Sequence, residues 1–306
     1  MNKFLKKTVN YLFLIFIIYL LTFILIRTIP GDPIDFLIGQ NNQVVDIDAL
    51  KKSLGLDLSF FQQLKLAIFN LLQLNFGVSI YQGAEVYDLL IPSLINTYQL
   101  ALFSISVAIL IGVPLGLAAS FFKKSLFNKV LNFCVPILLA LPSFILAPIL
   151  ILIFSLTFHL LPVNGMDSKL SIILPGLTLS LGLMAYLAKM TEDCVGDILD
   201  SQVIICLRAK GLSEIKIYMT HILRLITLPL ITVIGLQMGS LLSGAIITEM
   251  IFSWDGVGKL LIDSIHQRDY PLTQAAVFFI SLSYVTINYL LEFLYPLLDS
   301  RVKYND

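Results

Sequence analysis

Residues 95–120 read INTYQLALFSISVAILIGVPLGLAAS, a stretch that contains no charged residue. A helix that crosses the hydrocarbon core of a bilayer needs about 20 predominantly apolar residues. This stretch meets that length, and similar apolar runs recur along the chain. The predicted spans are residues 9–29, 95–120, 131–157, 170–190, 226–251 and 275–298. The sequence therefore predicts an all-α integral membrane protein with six transmembrane helices in a lipid bilayer.

The composition agrees with a membrane protein. Hydrophobic residues make up 58% of the 306 residues and charged residues 13%. Soluble domains are about half apolar and about a quarter charged. The formal net charge is zero, so the chain has no overall basic character with which to bind nucleic acid.

The distribution of Lys and Arg predicts the orientation of the spans. Basic residues are concentrated before the first span, in the segments that join spans two to three and four to five, and after the sixth span. Cytoplasmic segments carry an excess of basic residues. Both termini are therefore predicted to be cytoplasmic.

Two connecting segments are long enough to fold. The outer segment, about residues 30–94, contains an amphipathic stretch at 60–74 that predicts short helices. The inner segment, about 190–225, alternates charged and apolar positions and predicts one or two short amphipathic helices at the cytoplasmic face. The predicted organisation is a first helix with an extracytoplasmic loop (1–94), a five-helix core (95–298) and a tail (299–306).

Proline and small residues inside the spans predict bending and close packing. Pro136, Pro142 and Pro148 lie six residues apart in the third span and predict a bent helix. Gly112 and Gly116 lie four residues apart in the second span, a spacing that lets helix backbones approach closely. That contact could lie within one subunit or between two subunits.

The spans contain few ionisable residues. Glu249 and Glu292 lie near span ends, where water is within reach. A proton relay or ion site would place paired carboxylates or histidines at mid-depth, and a secondary transporter would often show an inverted repeat. Neither pattern is present in the sequence, which disfavours a secondary transporter.

The sequence also lacks a recognisable catalytic, metal or nucleotide site. His159, His221 and His266 are widely separated and predict no metal site. Residues 256–259, GVGK, resemble half of a phosphate loop but do not satisfy GxxxxGK[ST], so we interpret them as a turn. The chain is therefore predicted to bind no ATP and no other cofactor.

The stretch LRAKGLSE at 207–214, followed by His221 and Leu228-Pro229, resembles the coupling-loop signature of permease subunits of bacterial ABC importers. The resemblance is greatest to the dipeptide, oligopeptide and nickel uptake family. Further motifs extend it over nearly the whole chain: IPGDP (29–33), LGLD (54–57), NFGVS (75–79), LPSF (141–144), LPVNG (161–165), ILP (173–175), AYLA (185–188), EMIFSW (249–254), RDYP (268–271) and LDSR (298–301). Each motif alone is weak, whereas the ordered set is specific.

The resemblance implies a type I ABC importer permease fold and a role in transport rather than in catalysis. A homologous second permease would complete the pathway for di- or oligopeptides, with nickel or a metal–chelator complex as the alternative cargo. Two cytoplasmic ATPase subunits would hydrolyse ATP, and an extracytoplasmic binding protein would deliver the substrate. The implied location is the bacterial inner membrane.

The resemblance also implies which residues contact the ATPases. The predicted coupling element consists of Arg208, Ala209, Lys210, Gly211, Leu212, Ser213 and Glu214. We expect a short amphipathic helix from Arg208 to Glu214, in which Gly211 allows the chain to turn tightly and to make a close approach. The sequence departs from the family pattern at Glu192, where a basic residue is usual.

Overall fold

The computed structural model describes residues 3–28 and 57–298. In these ranges the chain is helical apart from turns and one isolated bridge between Val78 and Glu85. The α-helices are α1 Lys3–Thr28, α2 Phe60–Leu72, α3 Val86–Phe121, α4 Leu126–Ala140, α5 Ser143–Leu150, α6 Ile173–Leu199, α7 Gln202–Ala209, α8 Glu214–Lys216, α9 Leu223–Ile251, α10 Val257–His266 and α11 Tyr270–Leu298. Three short segments of 3₁₀- or π-helix adjoin the α-helices: Ile151–Thr157 (π), Lys169–Ile172 (3₁₀) and Ile217–Ile222 (π). The IPGDP motif, most of LGLD, the end of LDSR and the tail lie outside the described residues.

In residues 3–28 and 57–298, five helical stretches are long and apolar enough to cross a membrane, and a bent pair makes a sixth if its two halves form one span. The five are Thr8–Thr28, Val86–Phe121, Lys169–Leu199, Glu214–Gly239 and Tyr270–Glu292. The bent pair joins Leu126–Ala140 to Ser143–Thr157. The predicted all-α membrane fold is therefore confirmed in the part of the chain that the structure describes.

The third span bends more sharply than a kinked helix. The helix axis changes direction by 110° between its two halves. Leu141 adopts an extended conformation (φ −84°, ψ 116°), which is the region that a following proline favours. Pro142 then begins the second half as its N-cap residue, whereas Pro136 and Pro148 remain inside helices. Of the three prolines, Pro142 therefore marks the break.

Several helices extend beyond the predicted spans. The fourth span was expected to end at 190, but α6 continues to Leu199. The second was expected to begin at 95, but α3 begins at Val86. The length of an apolar run reflects the thickness of the bilayer and does not mark where the helix ends. The helix continues beyond the apolar run for as long as its backbone groups remain hydrogen bonded.

The chain divides into two compact units. The first comprises Met1–Thr97 and Asp255–Val285, and the second comprises Tyr98–Trp254 and Thr286–Asp306. In the first unit, the Nδ2 group of Asn96 donates to the carbonyl of Asp255, and the backbone N–H of Val257 donates to Thr97 Oγ1 at 2.8 Å. The interpretation of 256–259 as a turn is wrong beyond Gly256, because residues 257–259 form the first turn of α10.

Asp269 organises the first unit by joining two motifs that are 190 residues apart. Its side chain is fully buried. One carboxylate oxygen accepts hydrogen bonds from Ser79 Oγ and from the backbone N–H of Tyr81. The other accepts from the N–H of Leu272 at 3.2 Å, which caps the start of α11. The RDYP motif therefore anchors the turn that follows NFGVS.

We predict that Asp269→Asn destabilises the folded chain by about 1 kcal/mol, the typical net contribution of one hydrogen bond. The amide of asparagine keeps only one acceptor oxygen. Either the N–H of Leu272 or the two donors on Ser79 and Tyr81 therefore lose their acceptor. Asp269→Ala should destabilise the folded chain more, because all three donors lose their acceptor. Thermal unfolding of the purified chain in detergent, followed by circular dichroism, measures both. Unchanged stability of Asp269→Ala would contradict this anchoring role.

The core of the second unit lies between α3, α6, α7 and α9. The largest cluster of buried apolar side chains includes Leu100, Leu187, Ile204 and Ile226, all at most 1% exposed. Helix backbones can approach closely where the side chains between them are small.

Gly112 and Gly116 provide that approach. A Cβ atom at Gly112 would lie 2.7 Å from the carbonyl oxygen of Met184, and one at Gly116 would lie 2.3 Å from that of Ala188. Both neighbours belong to α6. The close packing that the spacing predicts is therefore made within the chain.

Candidate functional site

The candidate site lies where the chain passes from α6 to α9. Helix α6 ends at Leu199, and Ser201 is the extended N-cap residue of α7 (φ −74°, ψ 149°). Helix α7 then runs from Gln202 to Ala209, with Ile204 fully buried on its inner face. The sequence correctly predicts a short helix in this segment but places it at Arg208–Glu214, which is wrong. The helix precedes that stretch, and most of the LRAKGLSE motif forms the turn that ends it.

The turn is a Schellman motif centred on Gly211. Gly211 has φ +79°, in the left-handed region that glycine adopts without steric cost. Its N–H donates to the carbonyl of Arg208 at 2.9 Å, and the N–H of Leu212 donates to the carbonyl of Leu207 at 3.3 Å. These two bonds satisfy carbonyls that the end of α7 leaves without helical partners. Leu207 and Leu212 both pack against the core cluster.

The expected close approach of the chain at Gly211 is not present. A Cβ atom there would have no neighbour within 4 Å. The constraint at this position is therefore the backbone conformation alone.

An ion pair closes the turn. Arg208 Nε donates to Glu214 Oε1 at 2.7 Å, and Nη2 donates to Oε2 at 3.2 Å. This bidentate hydrogen bond raises the pKa of Arg208 above its usual value. Both side chains are more than 40% exposed, so the pair contributes only about 0–1 kcal/mol to stability.

The segment after the turn is anchored in the second unit. Ser213 is the extended N-cap residue that starts α8. Ile217 and Ile222 are fully buried, and the ring of Tyr218 packs edge-on against Phe121 with centroids 5.2 Å apart. The turn is thus held between a buried face of α7 and a buried face of the next helical stretch.

Four large apolar side chains around the turn remain exposed. They are Val203, Ile205, Ile215 and Met219, which we call the coupling surface. The sequence analysis did not single them out, because apolar residues in an amphipathic segment are usually interpreted as facing the core. The adjacency of Val203, Ile204 and Ile205 was an available signal, since one helix face cannot bury all three.

Of the seven residues of the predicted coupling element, the structure brings together Arg208 and Glu214 through the ion pair. Ala209 is the last residue of α7, Lys210 is its C-cap and Gly211 forms the turn. Leu212 packs inward and Ser213 begins the next helix.

A polar cluster compensates the unusual Glu192. Its Oε1 atom accepts from Asn128 Nδ2 at 3.1 Å and from Asn132 Nδ2 at 3.0 Å, and its Oε2 atom lies 3.1 Å from Lys189 Nζ. Lys189 also pairs with Asp193 at 3.0 Å. The departure from the family pattern is therefore balanced locally by α4 and α6. The i, i+4 spacing of Asn128 and Asn132 was a signal that the sequence analysis missed.

Comparisons with known proteins cover nearly the whole chain. Residues 112–304 match the model of the family described as binding-protein-dependent transport system inner membrane component, and residues 1–101 match the model of its N-terminal part. The chain is 32% identical over 304 residues to the glutathione transport system permease protein GsiC of Escherichia coli strain K12, covering 99% of both chains. It is 31% identical to GsiC of Pectobacterium atrosepticum over the same share of both chains.

The fold also matches a solved structure. A chain of the MetNI methionine ABC transporter in an inward-facing conformation superposes with a TM-score of 0.60 at 16% identity, covering 69% of this chain and 96% of that one. This likeness supports the predicted permease architecture. The chain therefore belongs to the family of binding-protein-dependent transport system inner membrane components, the permease subunits of ABC importers.

Proposed function

We propose that this permease forms, with a homologous second permease, the pathway by which an ATP-driven importer takes up short peptides. Two cytoplasmic ATPase subunits would bind the coupling surface, and an extracytoplasmic binding protein would deliver the peptide. ATP would be used by those partners and not by this chain. The supporting observation is a short helix, locked by the Gly211 turn, that presents exposed apolar side chains at the end of a spanning helix.

The coupling surface suits a mechanical role. Its rigidity comes from the Schellman turn and from the buried residues Ile204, Ile217 and Ile222 behind it. Exposed apolar residues within a polar rim are typical of a protein–protein contact. A movement of an ATPase bound here would be passed to α6 and to the helical stretch that leads into α9, because α7 joins them through short turns.

Peptides are the substrate class that the relatives favour. The GsiC proteins are named for glutathione, a tripeptide, and align with this chain end to end. The alternative cargo is nickel or a metal–chelator complex. Among the described residues, no group of three or more His, Cys, Asp or Glu side chains could hold a metal ion.

Deleting the gene for this chain in its host and restoring it on a plasmid tests the substrate. Uptake of radiolabelled glutathione, a dipeptide, a pentapeptide and nickel supplied with a chelator is measured in each strain. We expect the deletion to abolish uptake of at least one peptide and the plasmid to restore it. Loss of nickel uptake alone would support the alternative and contradict the peptide proposal.

We also propose that both termini are cytoplasmic, which single-cysteine labelling tests. The native Cys134, Cys194 and Cys206 are first replaced by serine. Single cysteines at Asp167 and His266 should react with an impermeant maleimide in intact cells, because these exposed positions follow the third and fifth spans. Cysteines at the exposed positions Lys124 and Ser213 should react only after the cells are opened. Labelling of Ser213→Cys in intact cells would refute this orientation.

A further inference from the structure

A cavity of about 130 Å³ lies in the first unit beside the C-terminal turn of α1. It is bounded by α1, by α2 and by the start of α11. The polar side chains on its wall include Arg27, Gln63, Asn70, Asn75, Tyr270 and Gln274. In the part of the chain that the structure describes, the wall contains no acidic side chain.

Arg27 is held in place by neutral groups. Its guanidinium carbon lies 3.6 Å from the centroid of the Phe23 ring and 5.6 Å from that of Tyr270. Its Nε atom donates to Gln63 Oε1 at 2.8 Å. These contacts orient the guanidinium but supply no negative charge, and cation–π contacts of this kind only partly replace hydration.

Among the described residues, no acidic side chain balances the positive charge of Arg27 in this cavity. Arg27 forms no ion pair with any residue in 3–28 or 57–298, and its Nη1 atom is buried without a hydrogen-bond acceptor. Arg27 is half-buried, and removing an unpaired charge from water even in part is costly. A ligand with negatively charged oxygens would supply the missing partner.

Gln274 is a second, independent indication of a ligand. Its side chain lines the cavity and is only 7% exposed, yet its Nε2 atom has no hydrogen-bond partner among the described residues. Buried amide groups are rarely left unpaired in folded proteins. A guanidinium and an amide on one small cavity wall are both hydrogen-bond donors, and together they match an oxyanion.

We propose that this cavity binds the phosphate of an anionic phospholipid headgroup. Arg27 lies in the last turn of a spanning helix, which is the depth at which lipid phosphates are found. Leu66 lines the cavity and is 53% exposed, and the neighbouring Ile24, Leu25 and Phe69 also expose their side chains. These apolar residues provide a surface for acyl chains outside a pocket that holds the headgroup.

The size of the cavity favours a headgroup over a transported peptide. Pockets that enclose a whole small molecule are usually about 300–1,000 Å³. This cavity is large enough for a phosphate group but too small for a peptide.

Native mass spectrometry of the full-length chain in mild detergent tests the proposal. Binding of phosphatidylglycerol is titrated for the wild type, Arg27→Gln, Gln274→Leu and the control Lys65→Gln. Lys65 is an exposed cation on α2 that does not line the cavity. Lys65→Gln therefore changes the net charge by the same amount as Arg27→Gln. Circular dichroism melting confirms that each variant is folded.

We expect Arg27→Gln to weaken phosphatidylglycerol binding at least about tenfold, as the loss of a charge-assisted hydrogen bond implies. Gln274→Leu should weaken it less, and Lys65→Gln should leave it unchanged. Equal binding by Arg27→Gln and wild type, or equal weakening by Lys65→Gln, would overturn the proposal.

Two competition experiments and one substitution separate other sources of the oxyanion. We expect neither inorganic phosphate nor glutathione at millimolar concentration to displace the lipid. Displacement by phosphate would assign the cavity to a free anion, and displacement by glutathione would assign it to a substrate carboxylate. Asp32→Asn should not increase lipid binding. An increase would show that the chain's own carboxylate competes for Arg27. Each of these three outcomes would overturn the lipid assignment.

Discussion

Replacement of Gly211 by valine is expected to abolish uptake while the permease still inserts into the membrane. Gly211 has φ +79°, and a β-branched side chain in this region costs about 1–3 kcal/mol. The turn can relieve that strain by changing conformation, which breaks the Schellman bonds to Arg208 and Leu207. Helix α7 then loses its fixed relation to α8, and the proposed coupling surface is no longer presented to the ATPases.

Gly211→Asn is the matched control. Asparagine tolerates the left-handed region far better than valine, and nothing lies within 4 Å of a Cβ atom at this position. Gly211→Asn should therefore retain most uptake. Glu214→Ala should also have a small effect, because the exposed ion pair contributes only about 0–1 kcal/mol.

The measurement is substrate uptake together with co-purification of the ATPases, at equal permease levels in the membrane. If Gly211→Val transports normally with ATPases bound, the segment is an ordinary connector. Equal loss in Gly211→Asn would show that any side chain at 211 blocks a contact, so that backbone conformation is not the cause.

Gly116→Ala is expected to destabilise the second unit markedly, although alanine is a better helix former than glycine. The added Cβ atom would lie 2.3 Å from the carbonyl oxygen of Ala188 and 2.6 Å from Thr191 Cβ. The first of these neighbours is backbone and cannot move without shifting α6. Overpacking of this kind typically costs about 1–3 kcal/mol, and Gly116→Leu should prevent accumulation of the folded chain.

Gly182→Ala on α6 is the control for helix propensity. No atom lies within 4 Å of a Cβ atom at Gly182, so alanine should leave stability unchanged or raise it by up to about 1 kcal/mol. Thermal unfolding in detergent can be followed by the fluorescence of Trp254, the single tryptophan, which is buried in the same unit. The stability of Gly112→Ala should lie between those of Gly116→Ala and Gly182→Ala, because a Cβ atom at Gly112 would lie 2.7 Å from the carbonyl oxygen of Met184. Identical stability of Gly116→Ala and Gly182→Ala would contradict the packing at Gly116.

Local patterns in the sequence were sufficient for the class of fold and for the position of the candidate site. Apolar runs about as long as a bilayer is thick predict spans wherever they occur, because no other environment accommodates them. The three prolines of the third span predict a bend because each ring fixes φ and each nitrogen has no hydrogen to donate, and the structure places the break at Pro142. The motif at 207–214 located the turn at Gly211, and the amphipathic stretch from 60 predicted α2, which the structure places at Phe60–Leu72.

The tertiary structure decided which residues meet. Asp269 and Ser79 lie 190 positions apart, and Glu192 meets Asn128 across 64 positions. Glu249, expected near water, is fully buried. No helical or strand periodicity encodes such contacts, because periodicity reports which face of one element is apolar and not which element covers it.

The same limit explains the register of α7 and the role of the glycines. Composition predicts an amphipathic helix near 190–225, but the choice of Gln202–Ala209 depends on Ile204 entering a core built from α3, α6 and α9. Spacing alone left open whether Gly112 and Gly116 contact their own chain or another subunit. The sequence by itself determined that this chain crosses a membrane and carries the turn at Gly211. Packing between distant helices decided the partners of that turn, of the glycines and of Arg27, because those contacts depend on long-range geometry.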